Sequence, residues 1–300
     1  MTTTDARIPD YARRVLASLR FLSPERAGLR MLTEQEWKSA LTFCDRAHLT
    51  LPLGLECRDH LPEWAARRVD GNLANNAERW RRVQVAYNEA SCAFEGEGLE
   101  WAVLKGFSHH PRFVADPRHR PHGDFDLFFP ADRVFQAREA ALRLGYEPLP
   151  GFERLPIDHL PVMIRKTGWR WRGDYFDPEN PPSLELHFRF WDQRTEHFAP
   201  SGLEQFWERR QSRAIDQVRF GSLHPVDAAG YASLHLLRHL LRGDLRPYHV
   251  YELAFLLDRS STDDLFWRDW YGWHDPSLRR LEAICFDLAR RWFDCRMPDA

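Results

Sequence analysis

The sequence predicts an α+β protein in which a small mixed β-sheet lies between two helical regions. Three observations predict this class. Apolar residues at helical spacing dominate the first third of the chain, short apolar runs bounded by Gly and Pro occupy the middle, and helical spacing returns in the last third. We therefore predict an N-terminal helical region at 1–99, an α/β core at 100–200 and a C-terminal helical region at 201–300.

The N-terminal helical region contains three recognisable helical segments. The first begins at Asp10 and has apolar periodicity to about residue 22. Thr33, followed three positions later by Glu36, matches a capping box at the start of a second helix. Apolar residues spaced three to five positions apart over 62–97 predict one long helix or two shorter ones, ended by glycines.

The middle of the chain combines short strands with one helix. A buried strand at 101–104 and a second strand at 124–129 both end close to a Gly or Pro. Residues 131–144 have helical spacing, and a further short strand follows at 146–149. Within 169–192, a Pro-rich turn separates two flanks that alternate as strands do.

The last third of the chain is predicted to be helical from about residue 201. Amphipathic or buried helices are expected over 232–243 and 249–259, where apolar residues dominate at helical spacing. No internal repeat or low-complexity segment interrupts the sequence.

Composition and charge exclude several classes of protein. With 43% hydrophobic and 29% charged residues, the chain is neither intrinsically disordered nor collagen-like. No apolar run approaches the roughly 18 residues of a transmembrane helix, and residues 1–14 lack the apolar stretch of a signal peptide, so we expect no membrane association. The formal net charge of −2 excludes a large basic field over the whole protein but leaves a local basic groove open.

The five cysteines indicate a reducing environment. Their number is odd, their spacing is wide, and none forms a CxxC pair. These features argue against a disulfide framework and against a cysteine-based zinc site. We therefore expect a cytoplasmic location.

Three acidic residues are candidates for a metal site. Asp124 and Asp126 alternate with apolar neighbours in the second strand, so their carboxylates should share one face of the sheet. Glu185 alternates in the same way in a later strand, which a neighbouring position would bring to the aspartates. Carboxylate oxygens are the ligands that Mg²⁺ or Mn²⁺ prefers. The alternative for each is an exposed acid on a solvated strand.

The end of the first strand is a candidate phosphate site. Lys105, Gly106 and Ser108 follow a buried strand at a turn, where free backbone N–H groups and a cation can hold phosphate oxygens. Lysine is rare in this chain, since only three of the 42 Lys and Arg residues are lysines. A Lys-Gly pair alone is weak support, because strand-to-helix turns use Gly routinely.

Four segments together form a recognisable family pattern. They are Leu104-Lys105-Gly106, Arg120-Pro121-His122-Gly123-Asp124-Phe125-Asp126-Leu127, Leu144-Gly145-Tyr146 and Leu184-Glu185-Leu186-His187. With these segments, and with His235 to His239 and Tyr251 to Ala254 in its helical end, the chain resembles the uncharacterised nucleotidyltransferase family over roughly residues 30–295. This family is a branch of the DNA polymerase β-like superfamily.

The resemblance implies a nucleotidyltransferase core at 100–200 and a metal-dependent reaction. In it, a nucleoside monophosphate moves from an NTP such as ATP to a hydroxyl-bearing acceptor, either a small molecule or a protein, and pyrophosphate leaves. Asp124, Asp126 and Glu185 would be the catalytic, metal-binding residues for Mg²⁺ or Mn²⁺. The residues expected to bind the nucleotide are Lys105, Gly106, Ser108, Arg120 and His187.

Two rival functions stay open beside this one. The family's third acid is usually aspartate, and the glutamate at 185 is consistent with a catalytically inactive relative that binds a nucleotide or a partner protein. An enzyme that modifies RNA or tRNA is the other rival. The net charge does not favour a nucleic-acid acceptor, although a stripe of arginines leading to Asp124 would support it.

Several histidines and tryptophans have two interpretations each. A cluster near the acidic pair lacks the spacing of a zinc site and is better explained as a polar loop over the nucleotide; it comprises His109, His110, His119 and His122. His235 and His239 share a helix face, without the glutamate of an HExxH motif, and either pack between helices or line the site. Trp169, Trp171 and Trp191 either pack in the core or stack on a base or acceptor.

Overall fold

The structure is a computed structural model of the chain, and it describes residues 8–151 and 158–298. The expectation about a signal peptide rests largely on residues 1–7, which lie outside the described part. The helices are α1 (Asp10–Ser18), α2 (Glu34–Ala47), α3 (Thr50–Cys57), α4 (Glu63–Gly96), α5 (Val134–Arg143), α6 (Gln193–Glu196), α7 (Gln205–Glu208), α8 (Pro225–Arg242), α9 (Pro247–Ser260), α10 (Asp264–Trp273) and α11 (Pro276–Phe293). The strands are β1 (Ala102–Val103), β2 (Asp124–Phe128), β3 (Tyr146–Pro148), β4 (Met163–Arg165), β5 (Ser183–His187), β6 (Gln211–Ile215) and β7 (Val218–Ser222).

The N-terminal helices follow the sequence signals closely. The capping box of α2 is present, because the Thr33 hydroxyl accepts from the Glu36 backbone N–H and the Glu36 carboxylate accepts from the Thr33 backbone N–H. The long periodic segment forms one helix, α4, of 34 residues. A single helix of this length connects the N-terminal helices to the sheet.

The strands form one mixed sheet in the order β3-β4-β5-β2-β1-β7-β6. Strands β2 and β5 at its centre are parallel, whereas β1 is antiparallel to β2 and parallel to β7. The fold is therefore the predicted α+β class, with a mixed sheet and flanking helices.

The two faces of the sheet pack against different helices. Phe125 and Leu127 of β2 lie in a core cluster with side chains of α4 and α5. Phe128 lies on the opposite face, where it belongs to a cluster that includes Tyr231 and Leu234 of α8. Alternation along β2 therefore sends its acidic side chains toward α8 and away from α4 and α5.

The N-terminal and C-terminal helices share one hydrophobic core. Side chains from α1 to α4 and from α8 to α11 belong to a single buried cluster; examples are Val15, Trp37, Leu53, Leu236, Leu253 and Phe293. Helix α8 contributes to this cluster and to the cluster on the sheet. It is therefore the element that connects the helical part to the acidic face.

The region after residue 201 differs from the prediction of an entirely helical segment. Residues 211–222 form the hairpin β6–β7, and β7 extends the sheet beside β1. The turn contains Asp216 at φ 52°, a left-handed conformation that Asp tolerates better than most residues. Val218 and Phe220 are buried while Arg219 between them is exposed, so the strand signal was present but short.

The first flank of the Pro-rich turn is also not a strand. Residues 169–172 are irregular, and the antiparallel neighbour of β5 is β4, which precedes them. The Trp169 indole donates to Asp177 at 2.9 Å, and Arg172 forms an ion pair with the same carboxylate. These local side-chain bonds compete with strand pairing and fold the segment around Asp177.

None of the described helices is both long enough and apolar enough to cross a bilayer.

We predict that the packing of α3 on α4 tolerates no side chain at Gly54. A Cβ there would lie 2.3 Å from Val69 Cγ1. Gly54→Ala should therefore lower the free energy of unfolding by about 1–3 kcal/mol, measured by denaturant titration. The matched control is Gly71→Ala in α4, where a Cβ meets nothing within 4 Å. This control should gain about 0.5–1 kcal/mol, and equal stability of the two variants would contradict the prediction.

Candidate active site

Parallel pairing of β2 and β5 brings three carboxylates to one face of the sheet. Asp126 lies opposite Glu185 in the register, and Asp124 lies opposite Ser183. The side chain of Asp126 is fully buried, whereas those of Asp124 and Glu185 are 30% and 22% exposed. The acidic residues of two separate segments therefore lie close together, and their side chains range from fully buried to partly exposed.

Lys105 lies against the two aspartates. Its Nζ is 2.8 Å from Asp126 Oδ1 and 3.2 Å from Asp124 Oδ2. Burial opposes its charge, but the carboxylates of Asp124, Asp126 and Glu185 outweigh burial and raise the pKa of Lys105. The next residue, Gly106, has φ +77°, a left-handed conformation that favours glycine and turns the chain directly after the lysine.

His187 is the second cationic group at the carboxylates. Its Nε2 lies 3.3 Å from Asp126 Oδ1 and 3.6 Å from Glu185 Oε2, and its Nδ1 lies 3.6 Å from Asp158 Oδ2. Burial disfavours the imidazolium, but Tyr231 and these carboxylates raise the pKa of His187 well above its usual value. His187 therefore lies where it can orient the acidic side chains.

Asp158 is a site residue that sequence reasoning missed. Its carboxylate lies 2.6 Å from Arg238 Nη1 and within reach of His187. Burial opposes ionisation, but the adjacent His187 and the charge of Arg238 lower the pKa of Asp158. An isolated aspartate outside any strand gave no sequence signal for this role.

The carboxylate cluster has the donor chemistry of a divalent-cation site. Asp126 Oδ2 is buried and has no hydrogen-bond partner among the described residues. Carboxylate oxygens of Asp126 and Glu185 lie within 4.8 Å of each other. A buried, unpartnered carboxylate oxygen is costly unless a cation or donor meets it, so these residues fit Mg²⁺ or Mn²⁺.

A cavity of about 390 Å³ opens over the carboxylates. One part of its wall is acidic and contains Asp124, Asp126 and Glu185. Other parts are cationic and contain Lys105, Arg79, Arg120, Arg238, Arg242 and Arg246. A cavity lined by both signs of charge suits a ligand that carries anionic groups and a bound cation together.

Arg120 is held by a buried ion pair. Its Nε donates to Glu252 Oε1 at 2.8 Å, and His109 Nδ1 lies 3.0 Å from the same oxygen. Burial opposes both charges, but the pair lowers the pKa of Glu252 and raises that of Arg120. Arg120 therefore lines the cavity with part of its charge already compensated.

Arg79 of α4 is the second site residue that sequence reasoning missed. It is 3% exposed, lines the cavity, and forms no ion pair with any described residue. Its Nη1 donates to the Tyr175 carbonyl at 3.2 Å, and burial lowers its pKa to about 10. The signal was available, because Asn72, Asn76 and Arg79 interrupt the buried face of α4 with polar residues.

Comparison with known families now identifies the chain. A family model described as uncharacterised nucleotidyltransferase matches residues 33–294. The chain belongs to this family. Membership supports a general function in nucleotide transfer and confirms the resemblance read from the motifs.

The chain was also compared with solved structures and with curated proteins. One solved structure similar to the chain is the crystal structure of an antigenic nucleotidyltransferase-like protein from Paracoccidioides brasiliensis. The two are 13% identical with a TM-score of 0.38, over 70% of this chain and 92% of that one. No curated protein matches the chain.

In this member of the family, some of the residues predicted to bind nucleotide line the cavity and others do not. Lys105, Arg120 and His187 line the cavity. Gly106 and Ser108 are not among the lining residues, and the Ser108 hydroxyl donates to the Lys105 carbonyl at 3.1 Å, which closes the turn. Their contact with a nucleotide stays a prediction, as does that of the three lining residues.

The other histidines divide into structural and cavity-lining groups. His122 is buried, lies 2.7 Å from the Pro117 carbonyl and stacks on Trp80. The described residues form two clusters able to hold a metal, and neither includes His109, His110, His119 or His122. His235 and His239 line the cavity rather than pack only between helices.

Of the three tryptophans, one faces the cavity. Trp171 is 53% exposed, lines the cavity and contacts Tyr175 edge to face. Trp191 is buried and donates to the Phe198 carbonyl, so it packs in the core. The Trp169 indole N–H donates to Asp177 and does not face the cavity.

We predict that His122 makes the free energy of unfolding depend on pH in the acidic range. Burial, assisted by Arg120, lowers its pKa to about 3. Because an unfolded histidine titrates near about 6.5, the unfolded state binds more protons as the pH falls below that value. The advantage of the wild type over His122→Gln in unfolding free energy should therefore shrink by up to ~1.4 kcal/mol per pH unit below pH ~6.5.

The control for this experiment is His197→Asn, which changes an exposed histidine with φ 64° to a residue that accepts that conformation. Denaturant titrations from neutral pH toward pH ~4 should show a pH-dependent difference for His122→Gln alone. A constant difference across this range would contradict the buried neutral imidazole.

Proposed function

We propose that the chain is a Mg²⁺-dependent nucleotidyltransferase that moves a nucleoside monophosphate from an NTP to a hydroxyl-bearing acceptor. One observation carries the proposal. The carboxylates of Asp124, Asp126 and Glu185 share one sheet face at a cavity whose other walls carry arginines. A nucleoside triphosphate with a divalent cation matches that pattern, because its phosphates need cations and its metal needs carboxylates.

The carboxylate trio would hold the cation. Asp126 supplies a buried oxygen without a partner, while Asp124 and Glu185 supply more accessible ones. A divalent cation bound there would polarise the α-phosphate and offset the charge of the leaving pyrophosphate. The extra methylene of Glu185 relative to aspartate is compatible with this, since its carboxylate still faces His187 and Asp126.

Lys105 has two tasks in this proposal. Without a metal, its ammonium neutralises Asp124 and Asp126, which would otherwise repel each other on one face. When a divalent cation takes over that role, the long flexible lysine side chain is free to contact the phosphates. The raised pKa keeps Lys105 charged while it lies against the carboxylates.

Arg79 and Arg246 are our candidates for binding the triphosphate. Both line the cavity, and neither forms an ion pair with a described residue. A guanidinium without a carboxylate partner gains most from a phosphate, since charge-assisted and bidentate bonds are the strong ones. We expect Arg120 to bind the triphosphate less strongly, because Glu252 already compensates the charge of its guanidinium.

The reaction at the site is a displacement at the α-phosphorus. The acceptor hydroxyl oxygen forms a bond to this phosphorus, the bond to the bridging β-phosphate oxygen breaks, and pyrophosphate leaves with that electron pair. The hydroxyl proton passes to a carboxylate oxygen of Glu185, which has no ion pair with Lys105. His187 positions Asp126 and Glu185 through its Nε2.

The test is a comparison of matched acid variants. Asp126→Asn and Glu185→Gln should each lower Mg²⁺-dependent transfer of label from an α-labelled NTP, and pyrophosphate release, by on the order of 100-fold or more. Acceptor candidates would be supplied as a mixture of small hydroxyl compounds and proteins. Isothermal titration with NTP and Mg²⁺ provides the binding readout independently of the acceptor.

The control is Asp132→Asn, which removes an exposed carboxylate beyond the end of β2. Its activity and its affinity for NTP·Mg²⁺ should equal those of the wild type. If Asp126→Asn and Glu185→Gln bound NTP·Mg²⁺ as tightly as this control, the assignment of the site would be wrong.

A binding function without catalysis is the second candidate, and the Lys105 bridge favours it. An ammonium at 2.8 Å and 3.2 Å from two carboxylates already satisfies much of their charge. In that case the chain would bind a nucleotide, and no pyrophosphate would be released with any acceptor. Pyrophosphate release with any acceptor would exclude this candidate.

A further inference from the structure

We propose that His235, His239 and His249 form a second metal site, distinct from the carboxylate cluster, for a borderline divalent cation such as Zn²⁺. The three imidazoles lie in the wall of the same cavity. Their ligand nitrogens lie within 4.8 Å of one another. The site shares no residue with the acidic cluster and does not depend on the proposed transfer reaction.

Two helices bring the three rings together. His235 and His239 are one turn apart on α8, and His249 lies in the first turn of α9. The ring centroids are 4.5 Å, 4.7 Å and 4.9 Å apart in the three pairs. The Nε2 atoms of His235 and His239 are 3.2 Å apart. Three imidazoles at these separations form the ligand set of an open zinc site.

A carboxylate orients one of these ligands. Asp244 Oδ1 lies 2.9 Å from His239 Nδ1. A carboxylate accepts hydrogen bonds, so Asp244 selects the His239 tautomer that carries its proton on Nδ1. The lone pair of His239 Nε2 then points at His235. Zinc-binding histidines commonly bond a carboxylate in this way through the nitrogen that does not ligate.

Burial of the three rings favours the neutral imidazole, which is the form that binds a metal. Burial, together with the charge of Lys105 and of each other, lowers the pKa of His235 and of His249 well below the usual value. Burial likewise lowers the pKa of His239, against the opposing effect of Asp244. His249 Nδ1 is also buried without a hydrogen-bond partner among the described residues. A bound cation would compensate for these desolvated nitrogens.

The chemistry separates this site from the carboxylate trio. Neutral imidazole prefers Zn²⁺ and neighbouring transition metals, whereas carboxylates prefer Mg²⁺. Lys105 and Arg246 oppose a further cation near the rings, and Asp244 and Glu252 offset them. Three protein ligands leave a fourth position for water or an oxygen of the bound substrate. Binding would also join α8 to α9 across their short connection.

The test measures metal binding by the full chain without nucleotide. After treatment with a chelator, isothermal titration with Zn²⁺ should give one high-affinity site per chain, and Co²⁺ should give the visible absorption of a tetrahedral complex. His249→Ala should lower Zn²⁺ affinity by on the order of 100-fold or more. Asp244→Asn, at an exposed residue that needs no repacking, should lower it by about 10–100-fold.

Two controls assign the bound ion. His197→Asn removes an exposed histidine elsewhere and should leave Zn²⁺ affinity unchanged. The double variant Asp124→Asn/Asp126→Asn should also retain it, because the carboxylate cluster is not involved. Loss of Zn²⁺ in this double variant with retention in His249→Ala would overturn the proposal. Equal Zn²⁺ affinity of wild type, His249→Ala and Asp244→Asn would overturn it as well, whatever the fate of the transfer reaction.

Discussion

The parallel, in-register pairing of β2 with β5 is the constraint on which the rest of the site depends. It places Asp126 beside Glu185 on one sheet face, with Asp124 two residues away on the same side. Three carboxylates in this position repel one another and resist burial, so they require compensating charge. Lys105 and His187 supply it from the neighbouring turn and from β5 itself. The carboxylates raise the pKa of both groups, and Tyr231 contributes to the raised pKa of His187.

The surrounding helices then decide what else can reach the carboxylates. Helix α8 covers the acidic face and contributes Arg238, which the buried Asp158 holds in place. Helix α4 covers the opposite face, but Arg79, one of its buried polar residues, lines the cavity. Because α8 also belongs to the core shared by the N-terminal and C-terminal helices, the cavity is built jointly by the sheet and both helical parts. A fragment restricted to residues 100–200 would lack several of its walls.

The sequence predicted those features that depend on local patterns, and it missed those that depend on tertiary placement. Alternation along β2 was sufficient to place Asp124 and Asp126 on one face, and spacing was sufficient for the capping box of α2. Alternation in a later strand also marked Glu185, although only the strand register shows that it lies beside Asp126. The contributions of Asp158 and His249 come from distant segments whose approach no local pattern encodes. The hairpin β6–β7 was missed because its strands lie within a part of the chain that is otherwise helical.

The identity of residue 105 argues for a site in which cations exchange. The chain uses arginine almost throughout, with only three lysines among 42 basic residues, yet a lysine faces the acidic pair. An arginine there would bind a carboxylate through two parallel hydrogen bonds in a fixed planar geometry. The lysine ammonium carries the same charge on a flexible side chain and does not require that planar geometry. A divalent cation can therefore displace a lysine from the carboxylates more easily than an arginine. The unpartnered Oδ2 of Asp126 fits this argument, because a buried carboxylate oxygen without a donor can still accept a further cation.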